Sequence, residues 1–276
     1  MKRLVVVADD VALHRGMTEA AIRAHREGIV TACSIVACGR ELAHAVDALS
    51  AAPALDAGVH LALVEERPLS DPARVPSLVG ADGRFLPNFF AFCRRYFAGR
   101  IDLGEVRREL RAQVEAVATS RIPIRHLNSH QHLHVLPRIF EIVLELASEY
   151  RVGWVRVPFD PTLSGASGAR RFGLRALNAL ALRARSVGAA RGIAFAERAA
   201  GIAEAGHHDV ESLREIIRRV EGTVELVVHP GASDPELSAV YDWGYQWQRE
   251  LDALCSPEVR EEIDRHGVEL VGTRGA

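Results

Sequence analysis

Four histidines fall within nine residues of this chain, in the run His126-Leu-Asn128-Ser-His130-Gln-His132-Leu-His134, out of 12 histidines in all. Neutral imidazole is the commonest metal ligand near neutral pH. The spacing of two puts these side chains on one face if an extended strand continues, and a turn after His130 would separate them. Two adjacent acids, Asp9 and Asp10, follow the apolar run Leu4 to Ala8. His60 sits in Gly-Val-His-Leu-Ala-Leu, Arg156 ends Gly-Trp-Val-Arg-Val-Pro, and His229 follows Val-Glu-Leu-Val-Val. Two histidines from different segments with one carboxylate of the Asp pair make a three-ligand metal site with open positions. Such a site suits hydrolysis, because the metal polarises a carbonyl and lowers the pKa of water. The second aspartate is then free to act as base. The same two-His, one-carboxylate set is also the facial triad of non-haem iron oxygenases. Any one of these histidines alone reads as a hydrogen-bonded core or surface residue. The set, with its paired acids, does not.

These residues share a position relative to the elements. Strands are expected at Leu4 to Ala8, Ile29 to Ala37, Ala57 to Val64, Ile124 to Ser129, Gly153 to Val157, Val224 to Val228 and Val268 to Val271. Helices are expected at Thr18 to Glu27, Glu41 to Leu49, Gly104 to Ala118, Pro137 to Tyr150, Val210 to Val220 and Pro257 to Arg265. The helix from Gly104 carries Val106, Leu110, Val114 and Val117 on one face. Gly28 follows a helix end as a C-cap. Strands alternating with helices argue for βαβ units and a parallel sheet. Seven strands over one chain favour an α/β fold of the TIM-like (β/α) barrel type, seven-stranded and incompletely regular. Acid, imidazole and guanidinium then recur at the C-terminal strand ends, the face where barrel active sites form. Residues 1–276 read as one such domain, with excursions at about 65–101 and 161–206.

Composition narrows the function. At 276 residues, 48% hydrophobic and 25% charged, the chain is an ordinary globular protein. A net charge of −2 leaves no basic footprint for nucleic acid. Lys2 is the only lysine beside 33 arginines, which excludes Schiff-base and P-loop lysine chemistry deeper in the chain. No apolar run is long enough to span a membrane, and Leu4 to Ala8 is too short for a secretory signal, so a cytoplasmic location is expected. Cys33, Cys38, Cys93 and Cys255 are expected as free thiols.

At these stretches the chain resembles the YdjC/ChbG family of carbohydrate deacetylases, including its hopanoid-biosynthesis branch, HpnK. The matching segments are Val-Val-Val-Ala-Asp-Asp at 5–10, His-Arg-Glu-Gly-Ile-Val-Thr-Ala-Cys-Ser at 25–34 and Gly-Val-His-Leu-Ala-Leu at 58–63. Ala-Asp-Gly-Arg-Phe at 81–85, the histidine run at 126–134, Val-Arg-Val-Pro at 155–158 and Val-Glu-Leu-Val-Val-His-Pro-Gly at 224–231 continue it. Glu-Leu-Asp-Ala-Leu-Cys-Ser-Pro-Glu-Val-Arg at 250–260 completes it. The resemblance implies a (β/α) barrel and a divalent metal (Mg or Zn first, then Mn, Ni or Co) on Asp10, His60 and His130. It implies Asp9 as water-activating base, His229 as the acid for the departing amine and Arg156 as the group orienting the base. His134 is a further candidate beside the metal, ranked below His130. The implied substrate is an N-acetylated sugar, either an N-acetylglucosamine oligosaccharide or a glycolipid such as an N-acetylglucosaminyl hopanoid, and the implied assembly is a homodimer.

The chain departs from that family at two places. Val11-Ala12-Leu13 stands where Phe-Gly-Leu is common, and Asn128 stands where Asp is frequent, though the hopanoid branch tends to carry Asn. Between Arg170 and Gly192, leucines and Phe172 alternate with arginines, the pattern of a lid helix or of peripheral contact with an anionic membrane. Phe85, Phe89, Phe90, Phe92, Tyr96 and Phe97 are expected to pack under a long loop. Tyr241, Trp243, Tyr245 and Trp247 are placed to stack on a sugar ring. A non-catalytic sugar-binding relative is the other reading of the same barrel.

Overall fold

In a computed structural model, which describes residues 1–162 and 168–276, the apolar runs form parallel strands and the amphipathic stretches the helices between them. The first half of the chain forms β1 (Lys2–Val11), α1 (Arg15–Glu27), β2 (Ala32–Ile35), α2 (Leu42–Ser50) and β3 (Asp56–Leu61). It continues with α3 (Phe89–Phe97), α4 (Leu103–Thr119), β4 (Ile124–Ser129), a 3-10 turn at His130–Val135 and α5 (Ile139–Glu149). The second half forms β5 (Trp154–Val155), α6 (Gly168–Ala190), β6 (Arg198–Ala200), α7 (Val210–Arg218) and β7 (Gly222–Val228). It ends with α8 (Pro235–Val240), α9 (Trp247–Leu254), α10 (Pro257–His266) and β8 (Glu269–Leu270). Local chemistry sets the helix ends. Asp102 caps α4 by accepting from the Gly104 N–H, and Asp209 and Ser212 form a reciprocal capping box on α7. Ser256 and Pro257 start α10, and Gly267 stops it at φ 61°.

The strands run in the order β5-β4-β3-β2-β1-β7-β6, all parallel. This sheet curls until its two edges approach. The Ala194 N–H donates to the Gly153 carbonyl at 2.9 Å and the Val155 N–H to the Ala194 carbonyl at 3.1 Å, a single parallel bridge next to β6. Seven strands do line the barrel, but not the seven expected from the sequence. β6 was missed, because Arg-Ala-Ala carries no branched apolar run. The expected last strand, β8, lies off the path: it pairs with Arg3 and Leu4 of β1, while β2 pairs with β1 from Val7 onward. The face expected on α4 is the observed one, with Val106, Leu110, Val114 and Val117 all buried.

Two segments leave the barrel, but the second returns to it well before residue 206, since Ala194 and β6 lie in the barrel wall. In 65–101 the chain makes isolated bridges and then α3, burying Phe85 and Phe92. Phe90 and Phe97 stay 80% and 70% exposed, so only part of that aromatic cluster packs as expected. Within 161–206, α6 packs Ala181 and Ala184 and leaves Phe172 exposed; residues 163–167 of that segment lie outside the described residues. Among the described residues no helix is long and apolar enough to cross a membrane.

Candidate functional site

Strand alternation sorts β1 into two faces. Leu4, Val6 and Ala8 belong to the core shared with the helices, whereas Val5 and Val7 form a separate interior cluster with Ala32. Asp9 continues the interior set, so simple alternation would send Asp10 outward. The backbone prevents this. β1 pairs Ala8 with Cys33 and Val11 with Ile35, spending one residue more than β2, and Asp10 takes φ 63°. A bulge at the strand end re-aims one side chain. Both carboxylates are therefore buried at the barrel mouth, Asp9 at 3% and Asp10 at 2% exposure.

Asp10 meets three imidazoles. Its Oδ1 lies 3.0 Å from His130 Nδ1 and 3.3 Å from His60 Nε2, and its Oδ2 lies 3.9 Å from His229 Nε2. Asp10, His60 and His130 present ligand atoms that all lie within 4.8 Å of one another. Sheet register supplies the next layer. His60 pairs with Asn128 across β3 and β4, so the two side chains share a face. His60 Nδ1 donates to Asn128 Oδ1 at 2.8 Å, which leaves Nε2 as the lone-pair nitrogen facing Asp10. Burial opposes ionisation of Asp10, but His130 and His60 outweigh it and hold the carboxyl well below its usual range. Burial also lowers His130, yet Asp10 and Glu65 dominate and lift it to about 10.

Asp9 faces a different set. Arg156 is fully buried and donates through Nη1 to Asp9 Oδ2 and through Nη2 to Asp9 Oδ1 at 2.9 Å. Its Nε donates to Glu225, which also accepts from Trp154 Nε1 at 3.2 Å. Ser34 Oγ at 2.7 Å and Asn128 Nδ2 at 2.9 Å complete Asp9 Oδ1. Burial would raise the Asp9 carboxyl, but Arg156 above all overrides it and keeps it ionised far below the usual carboxylate range. The structure thus brings Arg156 and Asp9, both singled out from the sequence, into direct contact.

His229 stands at the end of β7, and burial lowers its imidazole against the pull of Asp10 and Asp9. Tyr245 lies edge-on to it at 5.2 Å. Its backbone N–H donates to Glu250 of α9 at 2.5 Å, and the His208 N–H reaches the same carboxylate at 3.3 Å. The remaining histidines of the run go elsewhere, because the chain turns after Ser129. His134 bonds Ser129 Oγ at 2.6 Å and the Arg156 carbonyl at 2.8 Å, so both ring nitrogens are taken and it is not part of the metal grouping. His126 fills the barrel interior where Gly58 leaves room, since a Cβ there would come within 2.5 Å of its ring. Burial drives His126 and His134 down to about 3, so both are neutral.

Sequence reasoning missed Glu65. It accepts from Trp243 Nε1 at 3.0 Å, from Gln131 Nε2, and lies 3.4 Å from His130 Nε2. Trp243 covers the His130 ring at 5.2 Å, and Tyr245 and Trp247 continue the aromatic wall. A groove of about 470 Å³ opens beside it, lined in part by Glu65, Glu66, Arg84, Tyr241 and Trp243. Backbone strain gathers at this mouth: Asp10, Ala12, Glu65, Gln131 and His132 are five of the eight non-glycine residues at positive φ among the described residues.

The family model of YdjC-like proteins matches residues 3–265. The chain belongs to the YdjC-like family. A human relative named carbohydrate deacetylase is 31% identical over 97% of this YdjC-like chain and 89% of its own. One from Brevibacillus brevis with the same name is 29% identical, covering 98% and 97%. A relative from Yersinia enterocolitica named chitooligosaccharide deacetylase is 29% identical, covering 98% and 97%. A crystal structure of an Enterococcus faecalis V583 protein shares the fold at a TM-score of 0.78 and 24% identity, covering 99% of this chain and 98% of that one.

Proposed function

We propose that this YdjC-like protein removes the acetyl group from an N-acetylated sugar, with a divalent metal held by Asp10, His60 and His130. The observation that carries the reading is one carboxylate with two imidazoles within 4.8 Å at the C-terminal mouth of a parallel barrel, beside His229 and Asp9. The donor set fits such a cation: a hard carboxylate and two histidines whose outer nitrogens already have partners. When bound, the metal supplies Lewis acidity to the acetamide carbonyl and to water.

The protein's own groups supply the proton transfers. Asp9 Oδ1 is filled by Ser34, Asn128 and Arg156, so Oδ2, which takes only Arg156, is the oxygen left to accept a proton from the attacking water. Arg156 keeps that carboxylate ionised, the state a base needs. An amide nitrogen leaves only once protonated, and His229 is the imidazole placed to protonate it. Burial favours the neutral imidazole of His229, so it would act as the acid once it has taken up a proton during the reaction, and the imidazolium so formed gives that proton up readily. The Trp243, Tyr245 and Trp247 wall offers aromatic faces to a sugar ring, and the charged groove beside it offers partners for hydroxyls.

Free cysteines fit a reducing compartment such as the cytoplasm. The basic N-terminal part of α6, with Phe172 exposed, is the proposed place for peripheral contact with an anionic lipid surface if the sugar is lipid-borne. The reading is tested by acetate release from N,N'-diacetylchitobiose and from an N-acetylglucosaminyl lipid, after chelation and re-addition of Mg, Zn, Mn or Ni. Metal-dependent release from either substrate supports it and names the substrate. No release from both, in every metal, overturns it.

A further inference from the structure

Glu65 lies in the segment that leaves β3, outside every motif that points to chemistry. Its backbone is nonetheless fixed. The Glu65 N–H donates to the Leu86 carbonyl at 2.9 Å, Arg84 Nη2 donates to the Glu65 carbonyl at 2.8 Å, and φ is 68°. A left-handed conformation is uncommon for a glutamate and persists only where the surroundings impose it. The side chain so projected accepts from three donors: Gln131 Nε2 on Oε1, and Trp243 Nε1 and His130 Nε2 on Oε2. Three donors thus converge on one carboxyl group, whose two oxygens supply the acceptor sites they need.

His130 turns its two nitrogens in opposite senses. Nδ1 faces Asp10 Oδ1 at 3.0 Å, and Nε2 faces Glu65 Oε2 at 3.4 Å. A histidine that ligates a metal through one nitrogen donates the other N–H to a carboxylate or carbonyl, which fixes the ring and raises its basicity. His60 has that partner in Asn128; His130 has it in Glu65.

We propose that Glu65 is the positioning residue for His130 and that it links this ligand to Trp243, so that metal binding and the aromatic wall respond together. Gln131 extends the link, since its Oε1 accepts from the Phe89 N–H at the start of α3 at 2.7 Å. The proposal rests on the metal site of the preceding section.

The test is calorimetric titration of the chelated full-length protein and its variants with Zn and with Mn, with tryptophan fluorescence read in parallel. Glu65→Gln keeps the shape but turns an amide N–H₂ towards donors; it is expected to weaken metal binding by roughly 10–100-fold, the range for such outer partners. The wild-type fluorescence change on metal addition should shrink with it, because the hydrogen-bonded route from Trp243 Nε1 through Glu65 to His130 is lost and only the ring contact remains. Trp243→Phe keeps the carboxylate and removes one donor, and a smaller loss of affinity in the same direction is expected. A purely structural contact would move neither the affinity nor the fluorescence response. Wild type that binds metal, with both variants binding as tightly, overturns the proposal alone. Should Glu65→Gln fail to fold, as circular dichroism would show, Trp243→Phe decides by the same criterion. Wild type that binds neither metal overturns this proposal; the metal-dependent reading falls with it only if Mg and Ni also fail to bind.

Discussion

Arg156 is the residue on which the most buried charge depends. One guanidinium with no solvent exposure serves Asp9 and Glu225, both buried. Removing one partner of a buried pair leaves an uncompensated charge, at a cost of about 3–5 kcal/mol. Arg156→Ala is therefore expected to lower stability by about that amount, read as a fall in the urea midpoint, and to abolish activity. An unchanged midpoint would show that water already screens the two acids. The residue scale is also where the sequence was partly opaque. His60 and Asn128 lie on strands that the sequence showed, and the observed register then pairs them. The side chain of Asp10 could not be placed: its inward turn comes from a bulge and a positive φ that no local pattern specifies. Glu65 was hidden for the same reason, sitting in a segment without periodicity. Ala12 holds φ 79°, a conformation that favours glycine.

At the scale of elements, α9 acts as a clamp. Its Glu250 accepts from the backbone N–H of His229 and of His208, so one helix fixes the end of β7 and the loop before α7. Burial raises that carboxyl to about 8, despite the two N–H donors that pull it down. A folded-state pKa above the unfolded value contributes stability that is present below the unfolded value of about 4.5 and is lost as pH rises through 8. Glu250→Gln removes that linkage. Between pH 5 and 8 its stability should fall less steeply than that of wild type, by up to about 1.4 kcal/mol per pH unit, measured by urea titration across that range. Equal slopes would show that Glu250 is ionised in the folded protein near neutrality. The sequence showed neither α3, which is short and aromatic-rich, nor α9, which spans only two turns. β4 was legible to the residue, but its histidine run was only half legible, since spacing two means a common face only while the strand lasts. The turn after Ser129 separates His130 from His134, and the interior packing against Gly58 keeps His126 away from the metal ligands.

For the whole molecule, the barrel separates stability from chemistry by its two ends. The alternation of strands and helices fixed the parallel barrel in advance, while its closure through Ala194 and β6 depended on contacts that no local run encodes. At the end away from the site, buried Asp56 opens β3 and accepts from Arg274 Nη2 at 2.9 Å, Arg274 Nε at 3.1 Å and Thr273 Oγ1 at 3.3 Å. Asp56→Asn weakens these charge-assisted bonds and is expected to cost about 1–3 kcal/mol, seen by denaturant unfolding, with kcat/KM unchanged. A loss of kcat/KM without a loss of stability would show that the two ends are coupled. The central claim, that a metal on Asp10, His60 and His130 drives removal of an acetyl group, is tested most directly by titrating metal into chelated protein while measuring acetate release. Release should rise to a plateau at one bound metal per chain, and His130→Ala should give neither binding nor release. Release that is unaffected by chelation, or that persists in His130→Ala, would contradict the account.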